Sequence, residues 1–102
     1  YSFTKGGIIA LVRSYALALA ADNVRVNAIA PGQVETPGLA AFFRIDDPEE
    51  IARRKAAFAA TIPLGRASDP REIASVALFL ASDLSSYVTG VTIPVDGGIT
   101  AK

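Results

Sequence analysis

Apolar residues recur along the first twenty positions with a helical step. Tyr1, Lys5, Ile8, Val12, Tyr15 and Leu19 follow one another at intervals of four and three, so they share one stripe. The other faces are hardly more polar: Gly6, Gly7, Ala10, Leu11, Ala16, Leu17, Ala18 and Ala20, with Arg13 the only other charge before Asp22. A helix apolar on every side is expected to be buried on more than one, against a sheet and against a second helix or subunit.

The period then changes to two. Val24, Val26, Ala28 and Ala30 alternate with Arg25, Asn27 and Ile29, which predicts a short strand from Val24 to Ala30, stopped by Pro31-Gly32. A loop follows from Gln33. Asp47-Pro48-Glu49-Glu50 sets an N-cap carboxylate, an N1 proline and two first-turn acids at the head of one helix. Asp69-Pro70-Arg71-Glu72 repeats the device, with Glu72 at the capping-box position. That second helix is expected to bury Ile73, Val76, Ala77 and Leu80. A last strand runs from Val91 to Val95, where Pro94 removes a ladder donor and argues for a sheet edge. Helix, strand, helices, strand is the order of an α/β protein with a parallel sheet. Two strands do not make a covered sheet, so its remainder is expected outside these residues.

Composition narrows this picture. A chain of 102 residues is at most one small domain, and here reads as one partial domain. Ten basic residues balance ten acidic ones, so no net field recruits nucleic acid or an anionic membrane. Without cysteine or histidine, disulfides and the usual zinc ligand sets are excluded, and no metal site is expected; the pattern fits a reducing cytoplasm. The stretch from Gly6 to Ala21 is shorter than the roughly 20 residues of a membrane span, and Arg13 in its middle costs about 2.5–3.5 kcal/mol there. The absence of methionine makes a truncated start the natural expectation, so these residues say nothing of a signal peptide.

Tyr1 and Lys5 raise a chemical possibility. A free phenol titrates near about 10, and bringing it to about 7 takes roughly 4 kcal/mol. One ammonium at about 4–5 Å, in an effective dielectric of about 20, supplies close to that amount, and i, i+4 spacing on a helix delivers the separation. The pair is competent for acid/base work if it lines a dry cleft. The plain alternative is a tyrosine that packs its ring at a helix start and wets its hydroxyl. Tyr15, on the same stripe but without a companion cation, reads as core packing.

Tyr-Ser-Phe-Thr-Lys heading an apolar helix, then Asn-Ala-Ile-Ala-Pro-Gly, then Pro-Gly-Gln-Val-Glu-Thr, and finally Gly-Val-Thr-Ile-Pro-Val-Asp-Gly-Gly, occur in one order over nearly the whole chain. This combination resembles the C-terminal half of the short-chain dehydrogenase/reductase family. The resemblance implies the C-terminal part of a Rossmann-like doubly wound sheet, without the N-terminal half that binds the dinucleotide. It implies an NAD- or NADP-dependent oxidoreductase that moves hydride between nicotinamide and a small carbonyl or alcohol substrate. Tyr1 would be the general acid/base. Lys5 would lower its pKa and bind the nicotinamide ribose. Pro31, Gly32, Val34 and Thr36 would lie along the nicotinamide, the Val34 backbone and Thr36 hydroxyl holding its carboxamide. A homo-oligomer, tetramer or dimer, is also implied.

Residues 39–62 correspond to the family's variable substrate lid, where Phe42 and Phe43 could face an apolar substrate. Arg53, Arg54 and Lys55 read as a solvated helix face. The family's serine, asparagine and glycine-rich turn precede the tyrosine and fall outside this sequence, as does the residue that selects NAD or NADP. Residues 1–102 are therefore expected to be inactive alone. The three-residue gap between Tyr1 and Lys5 favours carbonyl chemistry over enoyl reduction, and a non-catalytic scaffold or oligomer subunit of the same fold is the alternative.

Overall fold

A computed structural model describes residues 2–36, 38 and 47–101, with the backbone alone for 2–4. In chain order it holds α1 (Ser2–Leu19), β1 (Ala28–Pro31), α2 (Pro48–Ala59), α3 (Pro70–Ala81) and β2 (Thr92–Val95), with short 3-10 turns after α1, after α3 and at the end. The strands pair with each other. The Ala28 N–H donates to Val91 O at 2.9 Å and the Gly32 N–H to Val95 O at 2.9 Å, advancing the same way along both strands, so the pairing is parallel. The α/β order expected from the sequence is the order observed.

The chain divides into two compact units, Tyr1–Ala30 with Ala74–Pro94, and Pro31–Ile73 with Val95–Lys102. In the first, the 3-10 turn that follows α1 ends on Asn23, whose left-handed φ of 59° suits an asparagine and whose N–H caps Ala20 O at 3.0 Å. Val12 and Ala16 are buried, whereas Ile8, Ile9, Leu11, Tyr15 and Leu17 are exposed. The expected stripe is thus corrected: Tyr15, at 54% exposure, is not a core residue, because no described residue of this unit covers its side of the helix.

The expected strand over Val24–Ala30 is also shorter, and begins only at Ala28. Ahead of it the chain is held by other means. The Val26 N–H donates to Thr89 Oγ1 (3.0 Å), and Val26 O accepts from the Gly90 N–H (2.8 Å). Asn27 donates from Nδ2 to Val88 O at 2.8 Å and accepts the Val91 N–H at 3.2 Å. The Arg25 guanidinium donates to Leu80 O at 2.7 Å and to the Oγ of fully buried Ser85 at 2.9 Å. α3 has no basic residue in its own last turn, and Arg25 places a cation at that carbonyl end from elsewhere in the sequence. On α3 the expected burial is corrected: Ile73, Val76 and Leu80 are only half-buried and Ala77 is exposed.

The second unit is anchored by Ile62, 4% exposed. Gly97, at φ 65°, passes so close that a Cβ there would lie 2.6 Å from Ile62 Cγ2, and its carbonyl accepts the Leu64 N–H at 3.1 Å. Both expected caps are present. Asp47 accepts the Glu49 N–H at 3.0 Å ahead of Pro48. Asp69 accepts the Arg71 N–H at 2.7 Å while Glu72 reaches back to the Asp69 N–H at 2.8 Å, a reciprocal capping box. No helix among the described residues is long and apolar enough to cross a membrane.

Candidate functional site

Lys5 sits near the start of α1 with an exposed side chain. Tyr1, and with it the phenol's position, lies outside the described residues, as do Phe42, Phe43 and most of the first half of the expected lid. Pro31, Gly32, Val34 and Thr36 lie within six consecutive residues of the second unit. Lys5 belongs to the first unit.

The segment after β1 is braced along one edge. Gly32 passes the next strand so closely that a Cβ would stand 2.7 Å from Asp96 Cα, which explains glycine there. Val34 forms a parallel bridge with Ser68. Gln33 O accepts from the Ser68 N–H at 2.9 Å and from Ser68 Oγ at 3.1 Å, and the Glu35 N–H donates to Ser68 O at 2.8 Å. In an extended chain, neighbouring peptide groups point to opposite edges. With Gln33 O and Glu35 N–H turned to Ser68, the N–H and C=O of Val34 are directed to the other edge. A donor and an acceptor side by side complement a primary amide, and the exposed Thr36 hydroxyl follows two residues on.

Charged groups secure the same unit. Arg66 forks onto Glu72 through two bonds of 2.7 Å. That guanidinium, and next the Asp69 N–H, hold the Glu72 carboxyl down at about 2. Asp96 accepts from Thr100 Oγ1 (2.7 Å), the Gly98 N–H (2.9 Å) and the Thr100 N–H (3.0 Å), and these, the hydroxyl first, keep its carboxyl below the ordinary range. Gln33 lines a cavity of about 80 Å³ together with Arg66, Ser68 and Asp96, and its buried Oε1 has no hydrogen-bond partner among the described residues. Among the described residues no cluster of acids could hold a metal ion.

Sequence reasoning misses Ser68 and Lys55. Ser68 carries no spacing signal, since it acts mainly through its main chain, with its hydroxyl adding a further bond to Gln33 O. Lys55 is expected on a solvated face with Arg53 and Arg54. Those two do pair with Glu50 within α2, but Lys55 instead pairs with Glu35. The half-buried side of α2 is Glu50, Ile51, Lys55 and Ala59, so Lys55 lies on the inward stripe, and the helical step from Ile51 is the available signal.

Comparison with known proteins gives this geometry a context. The family described as enoyl-(acyl carrier protein) reductase matches residues 1–100. The 3-oxoacyl-(acyl-carrier-protein) reductase FabG of Thermotoga maritima is 48% identical over 99 residues, 97% of this chain and 37% of that protein. FabG of Chlamydia pneumoniae is 48% identical over 100 residues, 98% of this chain and 37% of the relative. Among solved structures, a C-terminal deletion mutant of Thermoplasma acidophilum aldohexose dehydrogenase superposes with a TM-score of 0.91 at 34% identity, over 100% of this chain and 45% of that one. The chain thus spans well under half the length of the proteins it matches.

Proposed function

The chain belongs to the short-chain dehydrogenase/reductase family, and from that premise we propose that the full-length protein reduces a carbonyl, with a 3-oxoacyl thioester as substrate and NADH or NADPH as hydride donor. The observation that carries the reading is the braced Pro31–Thr36 segment, whose Val34 donor and acceptor face away from Ser68. When bound, the nicotinamide supplies the hydride to the carbonyl carbon. Tyr1 gives its phenolic proton to the carbonyl oxygen, so that one hydride and one proton yield the alcohol. Lys5 stabilises the phenolate left behind and hydrogen-bonds the ribose hydroxyls. Val34 and Thr36 hold the carboxamide and so decide which ring face meets the substrate.

The substrate class rests on the 48% identity to two 3-oxoacyl reductases. The family description names enoyl reduction, but a tyrosine and a lysine four positions apart in the sequence suit protonation of a carbonyl oxygen. The test is oxidation of NADPH and NADH by the full-length protein, with a 3-oxoacyl thioester and with the matching enoyl thioester. Turnover of the first and none of the second is expected; the reverse would replace this reading with enoyl reduction. The exposed apolar residues of α1, Ile8, Ile9, Leu11 and Leu17, support a homo-oligomeric protein, most simply a tetramer. Light scattering at micromolar concentration checks this, and a monomeric mass would overturn it.

A further inference from the structure

Helix α2 is lightly held. None of its described residues is fully buried, and its inward stripe offers only Ile51 and Ala59 as apolar contacts, on either side of Lys55. Of the three consecutive cations on this helix, Arg53 and Arg54 pair internally with Glu50, whereas Lys55 reaches twenty residues back to Glu35. Glu35 is not a loosely placed partner. Its own N–H is bound to Ser68 O at 2.8 Å, and it stands between Val34 and Thr36. The far end of α2 is fixed differently, by buried Ile62 against Gly97 and by the Leu64 N–H on Gly97 O. Among the described residues the helix therefore has an apolar anchor beyond its C-terminus and one ionic tie from its body to another segment, and that tie ends on the segment proposed to hold the carboxamide.

We propose that the Lys55–Glu35 ion pair is a strap coupling the seating of α2 to occupancy of the Val34–Thr36 segment, which makes Lys55 a positioning residue for substrate rather than a catalytic one. The inference rests on the cofactor role of that segment. A ligand that fixes Val34 and Thr36 also fixes Glu35 between them, and so strengthens the seat of Lys55. Coupling of this kind is reciprocal: a seated α2 favours cofactor as much as cofactor favours a seated α2. The pair is partly exposed, with side-chain exposures of 33% and 51%, so the coupling is modest and sensitive to salt.

The experiment is a double-mutant cycle in the full-length enzyme. Lys55→Met and Glu35→Gln should each raise the substrate KM about two- to five-fold, the range of an exposed ion pair, with kcat less affected. The two changes together should cost no more than either alone, and the exchanged pair Glu35→Lys with Lys55→Glu should recover much of the loss. Amide exchange over residues 48–59 should slow when NADPH or NADH binds the parent enzyme, and slow less in Lys55→Met. Additive single effects, or cofactor protection of 48–59 that is the same with and without Lys55, would overturn the strap. Thr36→Val separates the two levels. If it leaves cofactor affinity unchanged, the carboxamide reading fails, whereas the cycle still decides by additivity whether Lys55 and Glu35 act as one.

Discussion

The two units of the chain are stabilised by different kinds of bond. In the first, side chains reach far along the sequence to main chain, Arg25 to Leu80 O and Asn27 to Val88 O and to the Val91 N–H, beside the strand pairing itself. Much of its apolar surface stays open, from Ile8 to Leu17 on α1 and at Leu84 and Tyr87 beyond α3. The second unit is tied by ion pairs, by the Ser68 bridge and by glycines that let strand and loop approach within contact distance. The difference concerns completeness. The segment proposed to hold nicotinamide has its bracing within its own unit, whereas α1, which bears Lys5, carries apolar side chains that the described residues of its own unit do not cover. A general acid gains from water exclusion around it, while a backbone edge needs only to be held straight.

The sharpest way to test that contrast is to remove the proton donor. In the full-length enzyme Tyr1→Phe should lower turnover by at least about 100-fold, the scale of a lost general acid, with cofactor affinity nearly unchanged. Lys5→Met should lose both, since the proposed role has it serve phenol and ribose alike. Steady-state kinetics with direct cofactor titration checks this, and near-normal turnover by the Tyr1→Phe enzyme would remove Tyr1 from the mechanism.

A smaller effect should tell the units apart by their modes of packing. Gly97→Ala forces a left-handed residue, costing about 1–2 kcal/mol, and presses its Cβ into Ile62, adding about 1–3 kcal/mol. Ser85→Ala changes little volume but takes from Arg25 an acceptor that is wholly buried, at a cost of about 1–3 kcal/mol. Amide exchange should respond regionally, around Leu64 in the first variant and at the carbonyl end of α3 in the second. Uniform acceleration in both would mean that the units do not open separately.

How far the sequence can be read follows the same divide. Local signals are legible: the caps at Asp47 and Asp69 and the capping-box glutamate all bind as their spacing requires. So is the α/β order, because period and punctuation are written within a few residues. Non-local satisfaction is not. Alternation predicts a strand from Val24, yet Val26 and Asn27 bond to residues more than sixty positions away and the ladder starts at Ala28. Tyr15 reads as core because helical spacing says which residues share a face but not what covers it. Lys55 reads as solvated because a run of three cations hides which one turns inward. The segment proposed to hold nicotinamide is legible only as a resemblance; the Ser68 bridge beside Val34 has no sequence mark.

The mildest prediction concerns acid. Glu72 titrates at about 2 in the folded chain against an ordinary 4.5, because Arg66 and the Asp69 N–H favour its charged form. Its folded pKa is depressed, so its contribution is complete above about pH 4.5 and is lost as pH falls toward about 2, where both states are protonated. The pair is solvent-exposed and therefore screened, which keeps the effect below those of Gly97 and Ser85 and makes it shrink with added salt. Glu72→Gln should flatten the upper part of the acid limb in thermal melts. A residual slope should survive at lower pH, because Asp96, held down chiefly by the Thr100 hydroxyl, loses its contribution below the ordinary 3.8. Asp96→Asn should remove that remainder and leave the Glu72 limb in place. If instead Glu72→Gln leaves the whole acid profile unchanged, the Arg66 fork belongs to the cap geometry alone and carries no pH dependence of the second unit.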